Sequence, residues 1–152
     1  MPAITPSYLY TFVALIAVSG LLVFSFADYT NALRSSSELK QLRNLLDCVA
    51  AKGTELIVLS QTTNASTEAF VQMPASIGNK QYWLRLRNDS VKAWLEGGLG
   101  GEPVSETELR AYIPKKTSAT GYYIGGYGAV RLECSLISGT THIQLTGSGG
   151  GE

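Results

Sequence analysis

The chain has 152 residues, about one domain's worth, with 12 Lys+Arg against 12 Asp+Glu and 16% charged residues. Zero net charge argues against a nucleic-acid binder, which carries a basic footprint. Two cysteines and one histidine are too few for a disulfide-dense miniprotein or for the usual zinc sets.

The charges are unevenly placed. Met1 to Ala27 holds no Asp, Glu, Lys, Arg or His. Within it, Tyr8 to Ala27 is a run of 20 uncharged residues, the ~20 needed to cross a ~30 Å hydrocarbon core as a helix. Tyr8, Tyr10 and Tyr29 suit the aromatic belts at the two membrane interfaces. Pro2 and Pro6 precede the run, where proline opens a helix. Three readings are open. One is a cleaved secretory signal, with Ser25-Phe26-Ala27 as a small-x-small site but no basic n-region. The second is a single-pass anchor. The third is an anchor that also packs against copies of itself, and the pattern of residues 29–59 favours it.

Helical spacing continues past the boundary. After Asp28 no proline occurs until Pro74, and Gly53 is the sole intervening glycine. Leu39, Leu42, Leu46, Val49 and Leu56 fall on one stripe. Arg34–Glu38 and Arg43–Asp47 are i,i+4 opposite-charge pairs. Residues 1–59 thus form an N-terminal helical region, with a membrane or filament-core part at 7–28 and an amphipathic part at 29–59. The alternative is two helices hinged at Ser35–Ser37. Residues 60–67 read as a polar linker.

Beyond the linker the period falls from 3.6 to 2. Residues 68–147 read as a β-rich head and 148–152 as a flexible Gly-rich tail. Tyr82, Leu84 and Leu86 alternate with Trp83, Arg85 and Arg87. Val91, Ala93 and Leu95 alternate with Lys92, Trp94 and Glu96. A two-residue turn at Asn88-Asp89 pairs Leu86 with Val91 and Arg85 with Lys92. It sets Trp83 opposite Trp94 as an exposed aromatic pair. Further strands are expected at 68–73, 107–113, 122–124, 129–137 and 140–146, with Ser138-Gly139 turning a second hairpin. That hairpin points Val130, Leu132, Cys134 and Leu136 inward with Ile143 and Leu145. The fold class is α+β: a long N-terminal helix followed by a small antiparallel β-sandwich.

Cys48 sits at the edge of the helical stripe and Cys134 on an inward strand face. A Cys48–Cys134 disulfide is expected, closing a loop worth about 4 kcal/mol in the chain-entropy model. The alternative is two unpaired buried thiols. His142 reads as a surface strand residue beside Ser135. Glu102, Glu106 and Glu108 read as solvated charges. The clusters Gly97–Gly101 and Gly125–Gly128 match no phosphate-binding motif and read as loops. Asn64-Ala65-Ser66 and Asn88-Asp89-Ser90 fit the glycosylation acceptor pattern. No acid, base, nucleophile or metal set converges, so neither an enzyme nor a cofactor is expected.

The layout of an uncharged run, a helix turning amphipathic and a compact β domain resembles the type IV pilin superfamily, and more closely its archaeal members. Ala3-Ile4-Thr5-Pro6 looks like the short Val-Ser/Thr-Pro segment that opens many archaeal pilins. No Glu lies early in the apolar run, as bacterial pilins would have. Met73 to Leu86 is similar to a P-x-x-I-x-x-x-x-Y-x-L/V stretch of archaeal pilin-like proteins, here Pro74, Ile77, Tyr82 and Leu84. The basic-plus-small pair that the prepilin peptidase cuts is not found before Tyr8, so either the sequence starts at a mature end or it is not processed that way. The resemblance implies a structural subunit of an extracellular filament, anchored in the cytoplasmic membrane before assembly. Its expected partners are copies of itself and the pilus assembly machinery, with Ala14, Ala17, Ser19 and Gly20 allowing close helix packing. The alternative is a non-polymerising, membrane-anchored accessory protein whose β domain binds a partner. Arg34, Lys40 and Arg43 come after the apolar run, which the positive-inside rule reads as C-terminus inside. The resemblance, the sequons and the expected disulfide place the β domain outside.

Overall fold

A computed structural model describes residues 5–101, 109–114 and 117–147. The 148–152 tail and Glu102, Glu106 and Glu108 lie outside them. The protein is α+β. One helix, α1 (Thr5–Thr63), precedes seven strands: β1 (Thr67–Val71), β2 (Tyr82–Asn88), β3 (Ala93–Leu99), β4 (Arg110–Ile113), β5 (Thr117–Ile124), β6 (Val130–Ile137) and β7 (Thr140–Gly147). The chain divides into two units, Met1–Ser37 and Glu38–Glu152.

The first unit holds the N-terminal part of α1. Thr11 and Thr30 donate their hydroxyls to the carbonyls of Ser7 and Phe26 one turn back. That returns two polar groups to the backbone and leaves the outward surface apolar. Ser35–Ser37 is helical, and the boundary between units falls at its end.

The second unit is a helix laid on a sheet. All seven strands belong to one sheet in the order β1-β6-β7-β5-β2-β3-β4. Only β5 and β7 run parallel, because the β6–β7 hairpin folds back and inserts β7 between β6 and β5. Leu42, Leu46, Val49, Ala50, Leu56 and Ile57 of α1 join Leu84, Leu95, Leu132, Ile143 and Leu145 in one buried core. Gly53 lets the layers close, since a Cβ there would meet Ile143 Cδ1 at 3.0 Å. Gly97 acts likewise below Leu46. Leu39, expected on the stripe, is 44% exposed; the stripe instead begins at Glu38, which is buried and paired with Lys80 at 2.9 Å.

The helix runs four residues beyond the expected end. Asn64 then adopts φ 50°, the left-handed conformation that ends helices and that Asn tolerates better than most residues. Buried Ser60 donates to the Ala65 carbonyl at 2.8 Å, and Gln61 Nε2 donates to Thr141 Oγ1 at 3.0 Å. The expected 60–67 linker therefore shortens to 64–66.

The β6–β7 hairpin has the expected register, with Cys134 opposite Ile143 and Leu132 opposite Leu145. Ser138 and Gly139 both take positive φ, as a two-residue type I′ turn requires. The β2–β3 hairpin differs from expectation. Leu86 pairs with Leu95 and Arg85 with Glu96. The cause is Asp89, whose Oδ1 accepts the amides of Val91 and Lys92 at 2.7 and 2.6 Å while its own amide donates to the Lys92 carbonyl. This side-chain turn makes a four-residue loop, Asp89–Lys92, and β3 starts at Ala93. The register moves by four residues, so every side chain keeps its face. A like-charge Arg85–Lys92 pairing is replaced by an ion pair.

These two amides, with Lys92 nearby, hold the Asp89 carboxyl below its ordinary value. With the folded pKa depressed, its stabilisation is present above the unfolded carboxylate pKa. It is lost as pH falls through the lower folded value. Protection of the Val91 and Lys92 amides from exchange, taken against the intrinsic rate at each pH, is expected to fall over that acid range, and in Asp89→Ala to be low at every pH. Unchanged exchange in Asp89→Ala would show that the turn does not depend on the carboxylate.

Candidate functional site

Two surfaces stand out. The first is the N-terminal part of α1. Every large apolar residue from Tyr8 to Tyr29 is more than half exposed, with Phe24 at 73% and Val18 at 55%. This helix is long and apolar enough to cross a membrane. Nothing lies near the Gly20 Cα on the side where a Cβ would project. At 100° per residue, Ala14, Ala17 and Gly20 form one slowly winding stripe, and Ser19 falls on an adjoining face.

The second surface is the outer face of β5, β2, β3 and β4, away from the core. At its centre is Glu96, 1% exposed. Arg85 donates to Glu96 Oε1 from Nε at 2.7 Å and lies 2.5 Å away through Nη2. Trp94 Nε1 donates to Oε2 at 3.0 Å. Arg87 and Arg110 stand at 3.7 and 3.9 Å, close enough for charge but not for hydrogen bonds. Arg85 lies over the Trp83 ring at 5.5 Å, Arg110 over Trp94 at 5.4 Å, and Lys92 over Tyr112 at 5.6 Å. The strands order these groups: Tyr122, Arg85, Glu96 and Arg110 face one another in sequence across the sheet, and Arg87, Trp94 and Tyr112 form the adjacent row.

Trp83 and Trp94 are therefore not an exposed pair. Trp83 is fully buried on this face and lies opposite Gly98. A Cβ at Gly98 would meet the indole at 2.8 Å, so glycine makes the seat for the ring. Gly97 and Gly98, expected in a loop, belong to β3. Trp83 Nε1 has no hydrogen-bond partner among the described residues.

Both cysteines are free, Cys48 exposed and Cys134 buried, which corrects the expected disulfide. Cys48 lies between Leu46 and Val49 but about 200° around the helix from Leu46, so it turns away from the sheet that carries Cys134. Burial raises the Cys134 pKa, which keeps the thiol protonated and slow to react. With an exposed-thiol reagent, the folded chain is expected to label once, at Cys48, and twice only in denaturant. Two fast equivalents under native conditions would contradict this burial.

Asn64 is exposed at the helix end. Asn88 closes β2, and its Oδ1 accepts the Ala119 amide at 3.4 Å. His142 lies opposite Ser135 and Ser118 on neighbouring strands, lining a small polar cleft of about 180 Å³. The Pro74-to-Leu84 stretch folds as a clasp. Tyr82 donates its hydroxyl to the Pro74 carbonyl at 2.6 Å, and buried Ile77 forms a bridge with Lys80. Burial, with Tyr123 nearby, pushes the Tyr82 pKa up.

The Glu96 cluster is not among the features expected from the sequence. Its signal is the alternation Arg85-x-Arg87 against Glu96, once the hairpin is given its four-residue loop. No family model, no curated protein and no solved structure matches the chain.

Proposed function

We propose that the protein is a structural subunit of a type IV pilus-like extracellular filament, of the archaeal kind, assembled through the N-terminal part of α1. The observation that carries this reading is the unbroken exposure of large apolar side chains from Tyr8 to Tyr29. Burying one such side chain is worth about 1.5–3 kcal/mol, so a whole helix of them needs cover. The cytoplasmic membrane supplies it before assembly. Sibling helices supply it afterwards, packed through small residues such as Ala14, Ala17 and Gly20. Head-to-tail contacts that do not close then propagate a helical polymer. The β domains form the outer wall, with Asn64 as an accessible glycan acceptor.

Electron microscopy of sheared surface material from the native host tests this. The reading expects a fibre in which this chain repeats. Recovery only from detergent-extracted membrane, as a monomer or dimer, would overturn it in favour of a second reading: a membrane-anchored accessory protein. The cationic and aromatic outer face of the sheet favours that second reading, since it has the make-up of a partner-binding surface.

A further inference from the structure

We propose that the outer face of β5, β2, β3 and β4 is a binding site for an acidic saccharide. Arg87 and Arg110 would hold its carboxylates, and Tyr112, the exposed ring of this face, would pack on a sugar ring. The proposal is independent of whether the chain polymerises.

Charge comes first. Three guanidiniums surround one buried carboxylate. Arg85 is committed to Glu96 by a hydrogen bond and a close ion contact. Arg87 and Arg110 are coupled to Glu96 by charge alone, with side chains 50% and 39% exposed. Each guanidinium carries five N–H donors in a planar fork, so both can still take a carboxylate in the bidentate way that Arg favours. Glu96 fixes their positions in advance, which lowers the ordering cost of binding.

The aromatic groups narrow the ligand class. Tyr112 is 61% exposed, and it pairs across the strands with Trp94, which pairs with Arg87. Across these strands the row runs cation, ring, ring at the ~4.8 Å strand spacing, close to the width of a pyranose ring. A sugar offers C–H groups on its face for a ring and hydroxyls at its rim. Beside Arg87 lies an open trough of about 440 Å³, lined by Asn88, Thr120 and Tyr122 as well. Its amide and hydroxyl groups match sugar hydroxyls, and its size falls in the range of small-ligand sites. A nucleic acid fits less well, because the chain has zero net charge and a carboxylate sits at the centre of the face.

The test is calorimetric titration of the full-length protein in detergent with a galacturonate hexamer. The same hexamer after carboxyl reduction, poly-glutamate and polyphosphate serve as comparisons. The hexamer is expected to bind, and its neutral counterpart to bind at least about tenfold more weakly, as loss of a charge-assisted contact implies. Arg87→Gln and Arg110→Gln should each weaken hexamer binding about tenfold, and Tyr112→Ala should weaken it as well, with unchanged near-UV circular dichroism. Equal affinity for the neutral hexamer would overturn the proposal, and so would wild-type affinity in both arginine variants. Poly-glutamate or polyphosphate binding as tightly as the hexamer would also overturn it, showing a general anion surface. Should a variant misfold, the wild-type comparison of the four probes still decides.

Discussion

Glu96→Gln is expected to lower the stability of the β domain by about 3 kcal/mol, near the bottom of the range for breaking a buried ion pair. The side chain is 1% exposed and accepts from Arg85 and from Trp94 Nε1. Glutamine keeps the shape but removes the charge, and one of its oxygens becomes a donor facing donors. Arg85 is then left half-sequestered beside two further cations. The loss stays near the lower bound because Arg87 and Arg110 reach solvent and can be rehydrated. The matching control is Glu68→Gln. Glu68 pairs with Arg131 at 2.7 Å, but both side chains are about half exposed, so the expected loss is below about 1 kcal/mol. Urea midpoints of the two variants, compared at equal m-value, check the contrast. Equal losses would mean that burial is not what gives the Glu96 cluster its strength.

Val18→Arg is expected to be the most damaging change in the N-terminal segment. An arginine at the centre of a spanning helix costs about 2.5–3.5 kcal/mol on the insertion scale, roughly a hundredfold in the insertion equilibrium. In membranes from the native host, the wild-type chain should stay in the pellet after alkaline carbonate extraction. Val18→Arg should be lost from it, by release or by degradation. Ala51→Arg, on an exposed position of the amphipathic part of α1, should partition like the wild type. If Val18→Arg also stays in the pellet, the apolar run is not what holds the chain there.

The parts of the fold that are legible in the sequence depend on near neighbours. The helix follows from its period and the scarcity of glycine and proline. The β6–β7 hairpin follows from Ser138-Gly139, a local turn signal. The parts that are not legible depend on distant partners. Gly97 and Gly98 resemble loop residues because what they make room for, Leu46 and the Trp83 ring, is supplied by other elements. Thr117–Ile124 reads as a three-residue strand because Ser118, Thr120 and Gly121 hide its alternation. Gly121 is there because a Cβ would collide with the Leu145 backbone, at φ +131°. Asp89 reads as the second residue of a tight turn, whereas its carboxylate organises a longer one. That single difference conceals the Glu96 cluster. The rotation of Cys48 away from the sheet is available from helical geometry, since positions 46, 49 and 50 face the core and 48 does not.

The most direct measurement labels two thiols in one chain. A Val18→Cys variant retains Cys48, which is exposed and reports accessibility within the same molecule. Membranes or filaments from the native host are treated with a membrane-impermeant maleimide, and the two sites are quantified by peptide mass. Cys48 is expected to be modified, while the thiol introduced at position 18 is spared until detergent is added. Equal labelling of both sites without detergent would mean that the apolar stretch stands in water, and would contradict a helix kept dry by lipid or by sibling chains.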